Sequence, residues 1–419
     1  LEKTLAQKIL QRHSQDELEK AGQIVLCKTD MVLANDITAP LAIDSFRKMG
    51  ATKVFDRKKV ALVCDHFTPN KDIDSAEQVK KVREFAREMD IVHYYEGGNS
   101  GVEHALLPEL GMVGTGNIVV GADSHTCTYG GLGAFATGMG STDIAAAMAL
   151  GETWFKVPES IRVNITGNLD KYTVAKDIIL YLIGLIKVDG ALYKALEFSG
   201  SVIDEMEIEG RMTMANMAIE AGGKAGLFPA DHKAVAYCLE KGFANPEEIF
   251  PDDGALYCRE IDIDVTGMGP QIACPHLPDN VKAIDELLQV KVDQVVLGSC
   301  TNGRISDLRQ AADIIKGRKV NKNVRFIVLP ATPRIYEQAL EQGLINIFIK
   351  AGAIVGPPTC GPCLGGHMGI LASGEKCLST TNRNFKGRMG SLDSEVYLGS
   401  PMVAAATAIA GEIIHPGKV

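Results

Sequence analysis

Short apolar runs alternate along the chain with longer stretches in which apolar residues recur at helical spacing. The runs at 60–64, 118–120, 161–165, 292–297 and 326–329 are rich in Val and Ile, the pattern of strands buried on both faces. Residues 76–89, 142–150, 174–185, 304–315, 334–342 and 401–414 carry the 3.6-residue period and predict helices. Strands interleaved with helices define an α/β protein with parallel sheets. The stretch 266–279 holds Gly267, Gly269, Pro270, Pro275 and Pro278 and reads as a linker, with a softer boundary near Pro158. At roughly 150 residues per domain, 419 residues give about three, here 1–160, 161–275 and 276–419.

Three of the predicted strands run out into polar residues that carry chemistry. These are Asp65-His66 after 60–64, Asp123-Ser124-His125 after 118–120, and Cys300-Thr301-Asn302 after 292–297. Ligands of open α/β sheets bind beyond the carboxyl ends of strands, so one cleft fed from two domains is expected. A His beside an Asp at such an end suits proton transfer, because the carboxylate orients the imidazole. Asp123, Ser124 and His125 contain the residue types of a hydrolase triad, but adjacent side chains diverge and do not form one among themselves. The sequence 131–136, GLGAFA, loosely fits a dinucleotide fingerprint yet starts several residues after its strand, which predicts packing or turn roles for its glycines.

Composition narrows the field. Apolar residues make up 46% and charged residues 23%, as in a globular protein with a filled core. The longest apolar run, 178–186, is far short of the ~20 residues of a membrane span. A net charge of −9 argues against a nucleic-acid or acidic-membrane surface. The first residues lack a charged-then-apolar export pattern, and a cytoplasmic location is expected. In that reducing setting the ten cysteines are core residues, catalytic thiols or metal ligands. Cys27, Cys238 and Cys377 stand in apolar runs and read as core.

Thr359-Cys360-Gly361-Pro362-Cys363 is the strongest local signal. A thioredoxin dithiol would need a preceding Trp and more chain after it. By spacing alone two readings stand: zinc held by Cys300, Cys360, Cys363 and His367, or a 4Fe–4S cluster held by the three cysteines with one iron open. The small residues around Cys300, Gly298-Ser299-Cys300-Thr301-Asn302-Gly303, favour the cluster, since they leave room for a bulky inorganic group near main-chain N–H donors. The basic stretch 382–388, NRNFKGR, is a solvated loop or, beside a cleft, a clamp for carboxylates.

Taken in order, Asp65-His66, Asp123-Ser124-His125, Cys300-Thr301-Asn302, Cys360-Gly361-Pro362-Cys363 and 382–388 make the chain resemble the aconitase superfamily from about Asn35 to beyond Ala405. The resemblance implies a three-domain core of α/β/α layers around a central cluster cleft, without the swivelling fourth domain of single-chain members. It implies one 4Fe–4S cluster on Cys300, Cys360 and Cys363, a group that an aerobic preparation can lose. His66, oriented by Asp65, would protonate the departing hydroxyl. His104, Asp123, Ser124, His125 and Glu220 would complete the catalytic network, and Asn35, Asn216, Asn382, Arg383 and Arg388 would contact substrate or cluster. The implied activity is a hydro-lyase acting on a small hydroxy di- or tricarboxylic acid, with isopropylmalate expected and homocitrate or 2,3-dimethylmalate as alternatives. A separate small subunit would supply the swivelling domain, a serine base and the specificity loop, leaving this chain able to bind a cluster but inactive alone. An RNA-binding relative without enzymatic activity is the reading from another class, and the acidic balance opposes it.

Overall fold

The structure is a computed structural model that describes residues 2–419. The described chain forms two compact units. The first comprises residues up to Gly97 with 106–166 and 191–264; the second comprises 98–105, 167–190 and 265–419.

Two parallel sheets organise the first unit. One has five strands in the order His93–Tyr95, Val60–Val63, Met31–Asn35, Ile118–Gly121, Phe135–Gly138. Three of its strands, Val60–Val63, Met31–Asn35 and Ile118–Gly121, are buried at every position, which explains why their sequences show no polar alternation. Helices Ala39–Lys48, Ile73–Glu88 and Ser141–Leu150 bury their apolar faces with this sheet in one core that includes Phe46, Phe85, Ile144 and Phe135. Asp72 starts the second of these helices by accepting from Ser75 N at 2.8 Å. The other sheet has four parallel strands, Ala225–Leu227, Ala195–Ser199, Ser160–Thr166 and Arg259–Asp264. The glycines of 131–136 and their neighbour Gly130 serve close packing, as expected. A Cβ on Gly130 would lie 1.8 Å from Gly226 O, and one on Gly131 2.6 Å from Met212 N.

The second unit holds a seven-stranded sheet ordered Val281–Ala283, Gln271–Ala273, Glu395–Leu398, Lys376–Ser379, Gln294–Leu297, Arg325–Val328, Ile354–Val355. Its first two pairings are antiparallel and the rest parallel. The expected linker 266–279 therefore contains a strand, Gln271–Ala273, whose three residues are buried between the breakers Pro270 and Pro275. Helices Ile305–Ile315, Leu344–Ala351 and Pro401–Ala410 share its core. The last ends at Gly411, with φ of 84°, before the predicted limit of 414. Among the described residues, no helix is long and apolar enough to cross a membrane.

The first helix, Leu5–His13, closes on a paired histidine. His13 Nδ1 lies 2.9 Å from Ile9 O and Nε2 lies 2.8 Å from Asp30 Oδ2, so both ring nitrogens face acceptors and the imidazolium satisfies both. Burial alone would lower the His13 pKa; the Asp30 hydrogen bond and charge, with the Ile9 carbonyl, outweigh it and raise the value. Asp30 is held below the usual carboxylate range, its burial outweighed by His13 and by the Ile118 N–H. The His13 contribution to stability is complete below about pH 6.5 and is lost as pH rises through the raised value. That of Asp30 is complete above about pH 4 and is lost on acidification. Replacing His13 with Gln is expected to flatten the fall in melting temperature above neutrality. An unchanged slope in thermal melts across pH would overturn the assignment.

Candidate active site and cluster loops

In each unit the chemistry-bearing residues stand where strand order reverses. In the five-stranded sheet the chain runs outward from Met31–Asn35 to one side, then returns to Ile118–Gly121 on the other. The carboxyl ends of Val60–Val63, Met31–Asn35 and Ile118–Gly121, three neighbours, carry Asp65-His66, Asn35-Asp36 and Asp123-His125.

His66 is 7% exposed, and its Nδ1–H donates to Asp65 Oδ1 at 2.6 Å. Its Nε2 lies 3.9 Å from Asp123 Oδ2, beyond hydrogen-bond distance. Asp36, which the sequence reading passed over, fixes the loop beneath it. Its buried carboxylate accepts from the main-chain N–H groups of Asp65, His66 and Phe67 at 3.0, 2.9 and 2.8 Å. The Asn35 side chain accepts from Ile37 N, Thr38 N and Thr38 Oγ1 at 3.0–3.1 Å, closing the turn into the next helix. Asp123 starts the 3₁₀ helix Ser124–Leu132 by accepting from His125 N at 2.7 Å. His125 Nε2 then meets Glu220 Oε1 at 2.8 Å, so this histidine turns to a carboxylate 95 residues away. Ser124 contributes its carbonyl as acceptor for the Cys127 thiol at 3.7 Å. Asn216, fully buried, donates from Nδ2 to Thr128 Oγ1 at 2.8 Å. The first unit thus gathers Asn35, Asp65, His66, Asp123, Ser124, His125, Asn216 and Glu220.

The second unit holds His104 and the thiols. His104 is buried at the start of helix Glu103–Glu109, its Nε2 3.5 Å from Glu103 Oε1. In the seven-stranded sheet the order reverses between Gln294–Leu297 and Lys376–Ser379. Their carboxyl ends lead into Cys300 and Asn382. The Asn382 amide spans two sulfurs: Nδ2 lies 3.4 Å from Cys300 Sγ, and the Cys363 thiol faces Oδ1 at 3.6 Å. Arg388 Nη2 lies 3.9 Å from Cys363 Sγ, and the Arg383 guanidinium stands over the Phe385 ring. Asn384 ties this loop down through the carbonyls of Ala273 and Cys274. Cys360, partly buried, opens the 3₁₀ turn Gly361–Leu364 that carries Cys363.

The glycines of these loops are closely packed on the side a Cβ would take. A Cβ on Gly298 would lie 2.8 Å from Leu329 Cβ, one on Gly303 2.8 Å from Ser299 O, and one on Gly361 2.2 Å from His367 Nε2. Ser299, immediately before Cys300, adopts φ of 89°, a strained state of the kind stored at functional loops. His367, the fourth donor of the zinc alternative, lies with Nε2 3.3 Å from Thr359 Oγ1 within its own loop. Cys27, Cys238 and Cys377 are buried as expected, and burial pushes the thiols of Cys27 and Cys377 up to about 12. No disulfide joins any of the ten cysteines.

Polar clusters beyond the strand ends, rich in His and carboxylates in one unit and in thiols in the other, define an α/β protein equipped for both proton transfer and metal binding. The chain belongs to the aconitase family: residues 7–411 match the family described as aconitase (aconitate hydratase). It is 68% identical over 416 residues to the 3-isopropylmalate dehydratase large subunit of Nitratidesulfovibrio vulgaris strain Miyazaki F, covering 99% of both chains. It is 57% identical over 418 residues to 3-isopropylmalate dehydratase large subunit 1 of Pyrococcus abyssi, again with 99% of each covered. Among solved structures, Thermococcus kodakaraensis aconitase X in its holo form shares the fold at a TM-score of 0.53 and 14% identity, covering 88% of this chain and 89% of that one.

Membership of the family implies a 4Fe–4S cluster. The residues present fit one. Two buried thiols, Cys300 at a strand end and Cys363 in a neighbouring loop, are joined through a single amide, a third stands three residues before Cys363, and soft sulfur donors suit iron–sulfur chemistry.

Proposed function

We propose that the chain is the cluster-bearing large subunit of a 3-isopropylmalate dehydratase, which interconverts 2-isopropylmalate and 3-isopropylmalate by dehydration and rehydration. The observation that carries the reading is the 68% identity across 99% of both chains to relatives of that name. The geometry supplies the chemistry. When bound to Cys300, Cys360 and Cys363, the cluster would supply a Lewis-acidic iron for the hydroxyl and a carboxylate of the substrate.

The chain's own residues do the rest. Asp65 holds His66 Nδ1, so Nε2 carries the mobile proton, and His66 delivers it as the hydroxyl departs as water. Asp36 keeps that histidine in place through three main-chain N–H groups. Glu220 and Asp123 orient His125, and His104 and Ser124 complete the polar lining. Arg383 and Arg388 offer guanidinium forks to substrate carboxylates, with Asn35, Asn216 and Asn382 as hydrogen-bonding partners. A small subunit supplies the serine base that takes the C–H proton and the loop that meets the variable group of the substrate. The proposal includes a cytoplasmic setting, because thiol ligands persist in a reducing compartment. It also includes domains at about 1–160, 161–275 and 276–419, since each large sheet draws its strands almost entirely from one of these segments.

The test is an anaerobic assay of the purified chain, alone and mixed with the product of a companion small-subunit gene, on isopropylmalate, homocitrate and 2,3-dimethylmalate. The pair is expected to turn over isopropylmalate with the highest kcat/KM, and the chain alone to be inactive. Preference for homocitrate or 2,3-dimethylmalate would overturn the substrate, and activity of the chain alone would overturn the need for a partner.

A further inference from the structure

The helix Ala175–Ile186 is apolar along most of its length, yet its second residue is a lysine that is 0% exposed. Lys176 Nζ donates to Thr380 O at 2.8 Å and to Thr381 O at 2.6 Å. Both acceptors are neutral main-chain carbonyls. The adjacent carboxylate is committed elsewhere: Asp177 accepts from Val174 N and Gln271 N, each at 2.9 Å. Asp307 accepts from Asn302 Nδ2 and Arg304 N, also at 2.9 Å. Among the described residues, no carboxylate forms an ion pair with Lys176. A buried ammonium without an anionic partner is costly, and such a group normally neutralises or is removed by selection. Burial pulls Lys176 down to about 7, opposed by the negative charges of Asp307, Cys363, Cys300 and Asp177.

The two carbonyls it holds belong to the residues just before Asn382, the side chain that spans Cys300 and Cys363. A second buried cation, Arg304, follows Cys300 by four residues. Arg304 Nη1 donates to Thr301 O at 3.1 Å, while its Nε and Nη2 are buried with no acceptor. The loops of the two adjacent strand ends thus each carry a buried positive charge resting on main-chain carbonyls. Three thiolates and an iron–sulfur core bring negative charge to this spot.

We propose that Lys176 is a positioning residue for the cluster: its ammonium, resting on the Thr380 and Thr381 carbonyls beside Asn382, offsets the charge that the anionic cluster would bring. This rests on the cluster reading given under Proposed function. Charge compensation differs from simple tethering in its consequences for the empty chain. There the two carbonyl hydrogen bonds do no more than offset the cost of burying the ammonium; with the cluster bound the charge gains a counterpart.

The experiment uses the full chain, reconstituted anaerobically with iron and sulfide, as wild type, Lys176→Met and Lys176→Arg. Midpoint potential, rate of iron release to a chelator and thermal melting of cluster-free and cluster-bound forms are measured. Wild type that takes up no cluster overturns the cluster reading itself, before any variant is compared. With the cluster in place, Lys176→Met is expected to favour the oxidised cluster by about tenfold, a midpoint lower by about 59 mV for a one-electron couple. It should release iron faster than wild type, while its cluster-free form melts no lower. Lys176→Arg, which keeps the charge, should stay near wild type in potential. Unchanged potential and iron release in Lys176→Met would overturn the proposal. A cluster-free Lys176→Met chain that fails to fold, or melts well below cluster-free wild type, would overturn it too, since that marks a structural tether.

Discussion

Replacing His66 with Gln is expected to cut turnover of isopropylmalate by the paired subunits by roughly 10²–10⁴-fold, the range for removing a general acid. Gln fills a similar volume and still accepts and donates hydrogen bonds, so substrate binding should change little and the loss should fall on kcat. The loop itself should survive, because Asp36 grips its main chain through three N–H groups. Cluster content, read from iron, sulfide and visible absorbance, should match wild type. Asp65→Asn should act in the same direction but less severely. It leaves the ring in place and frees Nδ1 from its carboxylate, so the proton is no longer confined to Nε2. A His66→Gln enzyme with kcat close to wild type would remove His66 from the proton-transfer role.

Cys363→Ser is expected to abolish cluster retention and with it turnover. A hydroxyl has about the size of a thiol but ionises far less readily, and hard oxygen is a poor substitute for soft thiolate on iron. The protein should remain folded, because Cys363 lies in a turn held by main-chain contacts, including Cys363 N to Cys360 O at 3.0 Å. Cys258→Ser is the control: that thiol is exposed, and its loss should leave iron content unchanged. Iron and acid-labile sulfide measured on anaerobic protein decide the matter. Full cluster content in Cys363→Ser would exclude Cys363 as a ligand, and stoichiometric zinc with no iron in wild type would restore the zinc reading.

How much of this could be read from the chain depends on how local each signal is. Strand ends carrying Asp65-His66, Asp123-His125 and Cys300 were legible, because a buried parallel strand is a short apolar run and its last residues name the ligand-facing end. Sheet order was not legible, since parallel neighbours are joined through helices and leave no turn signature. The three-residue strand Gln271–Ala273 was hidden among prolines and glycines that signal a break. The partnership of His125 with Glu220 spans 95 residues and carries no spacing rule; the family resemblance named both residues without pairing them. Asp36 was missed although it directly follows Asn35, because a carboxylate at a strand end looks like solvent-facing punctuation until its three N–H donors are seen. Lys176 was missed because a charged pair, Lys176-Asp177, at the start of an apolar helix reads as a solvated end. The glycines near Cys300 were read as space for a ligand, whereas at Gly298 and Gly303 the place a Cβ would take is occupied by atoms of the same unit.

The Asn382 bridge has a bearing on the life history of the protein. Cys300 and the Asn382 amide stand beyond neighbouring strands of one sheet, so the placement of this pair is set when the sheet forms, and the amide also meets the Cys363 thiol. Cys360 and Cys363 share a loop that leaves the sheet at its edge strand, Ile354–Val355, and the Asn382 amide ties the Cys363 end of that loop to Cys300. Maturation then resembles filling a socket with one movable jaw: folding can finish first and iron can arrive later. A molecule stripped by oxygen would return to service by reloading, with no need for new synthesis.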